Sequence, residues 1–254
     1  MGRGADADVT AAWSLVGQHL ANDALAGLRK PHSPDDRERA FAEAVVRMDV
    51  QPVTDSGLKD VEAKLAALAK GDDEIAQASA YLIGRLYQAH YFTPGYARAA
   101  EAYTRLAEKF PGGYWAQLGL VKLALLKLYA LPEPAGPAAR IVAAEALLPR
   151  VVVPELQRDL HLVLGRAELF HEYSIEAVLA HLLAADRIGG LTQIKRGELQ
   201  LQIGELSRRA RHWDQARDYF QRFIVENEVD GRLSTAKLRL AQIDTAQRAE
   251  ESPR

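Results

Sequence analysis

The sequence predicts an all-α protein whose helices follow one another as antiparallel pairs. Apolar residues recur at helical spacing between breaks that contain glycine or proline. Four glycines, Gly84, Gly119, Gly165 and Gly204, each follow an isoleucine or leucine, and they lie 35, 46 and 39 residues apart. Intervals of this length fit one helix pair with its turns, so the chain is expected to contain helical repeats.

A second set of small and aromatic residues follows these glycines at matching distances. Ala177 lies twelve residues after Gly165, and Ala216 lies twelve residues after Gly204. Small residues on both helices of a pair would let the two backbones approach closely. The aromatic side chains of Tyr103 and Phe220 would then fill the space that remains.

The stretch from Ala78 to Gly119 resembles a tetratricopeptide repeat (TPR). It carries Ile83-Gly84 and Tyr87, then Ala99, Tyr103 and Pro111, and it continues with Trp115, Leu118 and Gly119. The family pattern is W-x-x-L-G-x-x-Y, then A-x-x-x-F, then P. The unit at Gly204 is the most faithful copy, whereas the unit at Gly165 has His181 in place of the phenylalanine. The resemblance implies antiparallel helix pairs stacked as a TPR-like solenoid.

Three parts are expected along the chain. Residues 1–71 would hold N-terminal helices with one loose repeat and one extra helix, residues 72–228 the TPR-like repeats, and residues 229–254 a capping helix and tail. The bacterial envelope-assembly members of the family have a similar second repeat helix. That similarity allows a periplasmic location.

Individual helix limits follow from capping residues and apolar stripes. The first helix is predicted at about residues 8–28, and Ser33 with Pro34 is predicted to start the second. Ser56 is predicted to cap a helix that carries the apolar stripe of Leu58, Val61, Leu65 and Leu68. A last helix at about residues 233–248 would bury Ala236, Leu240 and Ile243.

The resemblance also implies a partner-binding surface on the first helix of each pair. The matching positions are Tyr81, Arg85 and Gln88, then Leu162, Arg166 and Phe170, then Leu201, Glu205, Arg208 and Arg209, with Leu120 and Leu123 in the degenerate unit. Arginine and aromatic residues are enriched at binding hot spots. The alternative interpretation is that some of these side chains pack against a neighbouring helix. Co-chaperone members clamp a carboxylate with lysine and asparagine, and Tyr81, Leu162 and Leu201 argue against that subclass.

Composition excludes several other classes of function. The formal net charge is −2, so nucleic acid is not expected as a partner, and the absence of cysteine excludes thiolate chemistry. No apolar run is long enough to span a membrane, and the N-terminus lacks the apolar core of a signal peptide. As written, the sequence is expected in the cytoplasm, and in the periplasm if a signal peptide has been removed.

Motifs that could indicate catalysis are better explained as structural. Ser56 and Ser234 both match S-x-x-K, but the companion S-D-N and K-T-G motifs are absent and both serines are predicted to be N-caps. His161, His171 and His181 are ten residues apart, a spacing that does not place them on one helix face. No metal and no cofactor are therefore expected.

The most basic stretch runs from Arg208 through Arg211 to Arg217 and Arg222. Such a stretch could attract phosphate or an acidic peptide. A solvated helix end is the favoured interpretation, because cations are stabilised near helix C-termini.

The function predicted from the sequence is a non-catalytic scaffold or adaptor that holds a protein or peptide on the concave face of the repeats. The alternative is a regulatory or substrate-recruiting helical subunit of an enzyme complex. A homo-oligomer is also compatible with the sequence. An enzyme in its own right, with a single glutamate in a cleft, is the weakest of these hypotheses.

Overall fold

The computed structural model describes residues 7–29 and 36–251, with side chains as far as residue 249. Its described regular structure is entirely helical, with thirteen α-helices, a π-helical segment at Leu86–His90 and a 3-10 turn at Leu148–Arg150. The chain divides into two compact units, Met1–Pro132 and Glu133–Arg254. The boundary lies in the proline-rich loop, inside the 72–228 region that the sequence assigns to repeats.

The first unit contains seven described helices, in which successive helices pack on one another. Their bounds are α1 Ala7–Gly17, α2 Ala21–Leu28, α3 Arg37–Arg47, α4 Asp55–Leu68, α5 Glu74–Arg85, α6 Tyr96–Lys109 and α7 Tyr114–Tyr129. One apolar cluster joins α1, α2 and α3, and a second joins α3, α4 and α5. Of the predicted apolar stripe, Leu58, Val61 and Leu65 belong to that second cluster, and Leu68 is buried as well.

The second unit contains six helices with the same arrangement of consecutive contacts. Their bounds are α8 Pro137–Glu145, α9 Pro154–Phe170, α10 Ile175–Ile188, α11 Gln193–Arg209, α12 Trp213–Glu226 and α13 Leu233–Glu251. Buried apolar residues join α10, α11 and α12, and a further cluster around Phe220 and Phe223 joins α11, α12 and α13. In α13, Ala236 and Ile243 are fully buried and Leu240 packs against that cluster, which confirms the predicted inner face.

The repeated glycines are sites of close helix approach, as the sequence predicts. A Cβ at Gly84 would overlap the ring of Tyr103, and one at Gly204 would lie 3.1 Å from Phe220. At Gly165 the neighbours are Leu182 at 3.2 Å and the Cβ of His181 at 3.3 Å. In each case the residue that faces the glycine belongs to the next helix. Gly119 differs, because its Cβ would lie 3.2 Å from Tyr103 of the preceding helix α6. The four glycines therefore share close helix packing but not one kind of partner helix.

The prediction of one helix over residues 8–28 was wrong, because the chain breaks between α1 and α2. His19 has a φ of 62°, in the left-handed region, and Leu20 donates a backbone hydrogen bond to the Leu15 carbonyl at 2.9 Å. A left-handed residue that closes such a bond ends a helix. Histidine is among the non-glycine residues that tolerate this conformation better than most.

The predicted N-caps Ser56 and Ser234 were also wrong. The cap of α4 is Thr54, whose hydroxyl accepts a hydrogen bond from the Gly57 amide at 3.1 Å, and Ser56 lies within the first turn. Ser234 likewise lies inside α13, which begins at Leu233. Ser33 and Pro34 lie outside the described residues, and the described cap of α3 is Asp36, which accepts from the Arg39 amide. An N-cap residue typically has an extended backbone conformation, and Thr54 has that conformation.

Candidate functional site

The predicted binding positions of the first unit are occupied by contacts inside that unit. Tyr81 is only 7% exposed, and its ring lies 5.8 Å from that of Tyr103 and 5.4 Å from that of Trp115. Arg85 donates to the side-chain oxygen of Gln88 at 3.0 Å, and the same oxygen accepts from the Tyr103 hydroxyl at 2.8 Å. Tyr81 thus belongs to an aromatic core. Leu120 and Leu123, on α7, are buried as well.

The corresponding positions on α9 are arranged differently. Leu162, Arg166 and Phe170 recur every four residues and therefore follow one face of the helix. Leu162 is half-buried against the apolar cluster of α10–α12, Arg166 is exposed, and Phe170 is 75% exposed. Within the described chain, Arg166 has no hydrogen-bond or ion-pair partner. This face, which we call the α9 face, offers a cation and an aromatic ring to solvent.

The positions on α11 are partly neutralised. Leu201 packs against the cluster around Phe220. Glu205 pairs with Arg208 at 2.7 Å and with Arg239 of α13 at 3.1 Å. The hydrogen bond from Arg208 lowers the pKa of Glu205 below its ordinary value, against the opposing effect of partial burial. Arg209 is exposed on the same helix.

Ion pairs also neutralise individual arginines of the basic stretch that begins at Arg208. Arg217 pairs with Asp244 at 2.7 Å, and Arg222 lies 3.3 Å from Asp186. Asp186 also accepts a hydrogen bond at 2.7 Å from Tyr219, and burial together with this bond raises the pKa of that phenol to about 12. These contacts tie α12 to its neighbours α10 and α13. The stretch is therefore mostly a set of interhelical contacts and not a continuous cationic patch.

A partly buried cluster of two histidines and two glutamates lies where α8, α9 and α10 meet, and we call it the His/Glu cluster. It consists of Glu145 from α8, His161 and Glu168 from α9, and His181 from α10. The Nε2 atom of His181 lies 3.3 Å from Oε1 of Glu145 and 3.6 Å from Oε1 of Glu168. On the other side of its ring, Nδ1 of His181 lies 2.9 Å from Nδ1 of His161.

Charge is poorly compensated in the His/Glu cluster. The Glu168 side chain is only 4% exposed, and its Oε2 atom is buried without a hydrogen-bond partner among the described residues. Burial raises the pKa of Glu168; His181 opposes this shift and Glu145 adds to it. Burial also lowers the pKa of His161, and the neighbouring His181 and Arg187 lower it further. The cluster therefore contains one buried carboxylate oxygen, Oε2 of Glu168, for which the described residues supply no hydrogen-bond donor.

The ten-residue spacing of His161 and His181 keeps them off one helix face, but two helices that pack together bring them into contact. His161, Gly165 and Glu168 follow one face of α9 at i, i+4 and i+7. His181 takes the position that Phe220 takes in the next pair, where the side chain faces the glycine. A polar residue at that position, opposite a helix face with histidine and glutamate, was the signal available in the sequence.

The first unit has a polar pocket of its own beside the π-helical segment. Its lining includes Lys59, Glu62, Tyr87, Tyr91 and Arg98, and its volume is about 320 Å³. The hydroxyls of Tyr87 and Tyr91 both donate short hydrogen bonds to the Glu62 carboxylate. Burial, and then the bond to Glu62, raises the pKa of each phenol. The two tyrosines tie the irregular end of α5 to α4.

Comparison with known proteins leaves the family of this chain open. No protein-family model matches the sequence. No curated protein matches it either. Of the described helices, none has the length and apolar character needed to cross a membrane.

Proposed function

We infer that the chain is a non-catalytic scaffold that binds a protein or peptide segment, with its helix pairs stacked as TPR-like repeats. Support comes from the glycine contacts at Gly84, Gly165 and Gly204, which bring each first helix against the next one. In a stack of such pairs the first helices line the concave face, which is available for a ligand. The sequence resemblance places ligand contacts on the same helices.

The α9 face is the single observation that carries the proposal. Phe170 is 75% exposed, and Arg166, one turn before it, has no hydrogen-bond or ion-pair partner among the described residues. Aromatic and arginine side chains are the most frequent hot-spot residues of interfaces. Arg166 and Phe170 lie one helical turn apart, so a short segment can contact both.

The chemistry of this face defines the ligand. Arg166 pairs best with a carboxylate, and Phe170 with an apolar side chain. We therefore expect an exposed segment in which an acidic residue lies near an aromatic or aliphatic one. Arg85 and Arg208, which the sequence places in the same groove, already have internal partners. Arg166 is accordingly the arginine whose removal should affect binding most directly.

The test uses a random peptide display library selected on the full chain. Selected peptides should combine acidic and apolar residues and bind an Arg166→Ala/Phe170→Ala variant at least about tenfold more weakly, the loss expected for two hot-spot residues. The matched control is Arg150→Ala/Val225→Ala, because Arg150 is exposed and Val225 is 73% exposed on α12. That control should bind the peptides as the wild type does.

Two results would contradict this proposal. Failure of the wild type to enrich any peptide would argue against a peptide-binding scaffold. Equal affinity of the wild type and the Arg166→Ala/Phe170→Ala variant would show that binding occurs on another surface. Both variants change exposed side chains, so neither should alter the helical content measured by circular dichroism.

A further inference from the structure

The His/Glu cluster contains the donor atoms of a small metal site. One oxygen of Glu145, one of Glu168 and one ring nitrogen of His181 lie within 4.8 Å of one another. A tetrahedral zinc ion with bonds of about 2.0–2.1 Å holds its ligand atoms about 3.3 Å apart. The two distances from His181 Nε2, 3.3 Å to Glu145 and 3.6 Å to Glu168, are close to that value.

An independent observation points to a cation as the ligand of this cluster. Oε2 of Glu168 is buried and has no hydrogen-bond partner in the described part of the chain. A buried carboxylate oxygen without a partner is strongly unfavourable. A cation between the two glutamates would compensate this charge through either oxygen. Among the described residues, no lysine or arginine forms an ion pair with Glu145 or Glu168.

The second histidine fits the role of an outer partner. The 2.9 Å contact between the two Nδ1 atoms requires that one ring donates and the other accepts. When His181 donates from Nδ1, its Nε2 presents a lone pair toward the two carboxylates, as a metal ligand must. Histidines that bind metals commonly donate their other N–H to a neighbouring acceptor. His161 provides that acceptor.

We propose that Glu145, Glu168 and His181 bind one Zn²⁺ ion, with His161 orienting the His181 ring. The mixed nitrogen and oxygen ligands suit zinc better than Mg²⁺ or Ca²⁺, which prefer oxygen alone. Glu145 is the most exposed ligand, with a side chain 38% accessible, and it gives the ion an entry path. Bound zinc would join α8, α9 and α10, and thus hold the helix that carries the α9 face.

The test is calorimetric titration of the chelator-treated full chain with ZnCl₂. The wild type should bind one equivalent of Zn²⁺. Zinc should also raise the midpoint temperature of thermal unfolding, because it binds the folded state and not the unfolded chain. Glu168→Gln keeps the size of the side chain and removes a charged ligand, so it should weaken the binding at least tenfold. His161→Ala should weaken it by about 10- to 100-fold as an outer partner.

Two controls separate this site from other effects. His212 is an exposed histidine at the start of α12, so His212→Ala should retain wild-type zinc binding. Arg166→Ala/Phe170→Ala should also retain it, so that the metal site and the peptide surface are tested separately. The same calorimetry with MgCl₂ should show binding far weaker than that of zinc.

The proposal is overturned if the wild type shows no saturable binding at one equivalent. It is also overturned if folded Glu168→Gln binds zinc as tightly as the wild type, or if Mg²⁺ binds equally well. No saturable zinc binding by the wild type would mean that the four residues form a hydrogen-bonded cluster without a metal, in which His181 donates to Glu145. His181→Ala could disturb the core because this ring is buried, so Glu168→Gln is the deciding variant.

Discussion

At the scale of single residues, the contact between Gly84 and Tyr103 sets the distance between α5 and α6. Tyr103 is fully buried, and its ring has no space to move away from a new Cβ. We expect Gly84→Ala to lower the free energy of unfolding by about 1–3 kcal/mol, the usual effect of overpacking. This loss should exceed the gain of about 1 kcal/mol that alanine brings to a helix interior. Chemical denaturation would measure it.

Gly27→Ala is the matched control for this substitution. Gly27 lies inside α2, and no atom of the described residues outside the adjoining part of α2 lies within 4 Å of the position that its Cβ would take. Alanine there should leave stability unchanged or raise it by up to about 1 kcal/mol. Equal effects of the two substitutions would show that close packing at Gly84 does not matter to stability.

Glu205 should make stability depend on pH. The hydrogen bond from Arg208 lowers its pKa in the folded state, so the folded protein binds fewer protons than the unfolded chain near pH 4. The resulting stabilisation is present above the unfolded pKa of about 4.3 and is lost as the pH falls through the folded pKa. Glu205→Gln should therefore lower the unfolding free energy by up to about 1 kcal/mol near pH 7, a modest value because the pair is partly exposed.

The control for the pH effect is Glu228→Gln, which changes an exposed carboxylate with no ion pair in the described chain. Denaturation of the three proteins should be compared at neutral pH and near pH 4. The difference between Glu205→Gln and the wild type should become smaller as the pH falls. A difference that is constant with pH would rule out the ion pair as its origin.

At the scale of elements, the start of α4 shows which of two nearby hydroxyls stabilises a helix. Thr54 has extended backbone and accepts from the Gly57 amide, whereas Ser56 is exposed in the first turn. Thr54→Ala should lower the unfolding free energy by about 1 kcal/mol. Ser56→Ala should change it by less than about 0.5 kcal/mol. Thermal denaturation of both variants would compare the two, and a larger loss at Ser56 would reverse the assignment.

At the scale of the whole molecule, charge is balanced and cannot by itself attract a ligand. The chain has 32 basic and 34 acidic residues, and its net charge is −2. Attraction of an acidic peptide must therefore come from a few local side chains, such as Arg166. Exposed ion pairs of this kind weaken with salt, because the Debye length falls from about 10 Å at 0.1 M to about 3 Å at 1 M.

We expect the dissociation constant of a selected peptide to rise up to about tenfold between these two salt concentrations, since one or two exposed pairs are involved. Isothermal titration at several salt concentrations would measure the change. The Arg166→Ala variant should show a flatter dependence than the wild type. A dissociation constant that is the same at all salt concentrations would mean that the apolar contact with Phe170 dominates the interaction.

The sequence by itself determined the helical class, the repeated glycines and the apolar stripes. These features follow from local periodicity, since a buried helix face repeats every three or four residues whatever it packs against. It also predicted the inner face of α13 and the close contacts of Gly84 and Gly204. Such contacts are visible in the sequence because only a small residue allows two backbones to approach.

Only the tertiary structure decided which predicted surface residues are free and which polar residues meet. Arg85 and Arg166 occupy equivalent positions, one residue after the repeat glycine, but Arg85 is half-buried and donates to Gln88, whereas Arg166 is exposed. Glu145 and His181 are far apart in the chain and become neighbours because α8, α9 and α10 pack together. Burial and encounters between distant residues depend on how helices pack, and the periodicity of one helix contains no information about its partner.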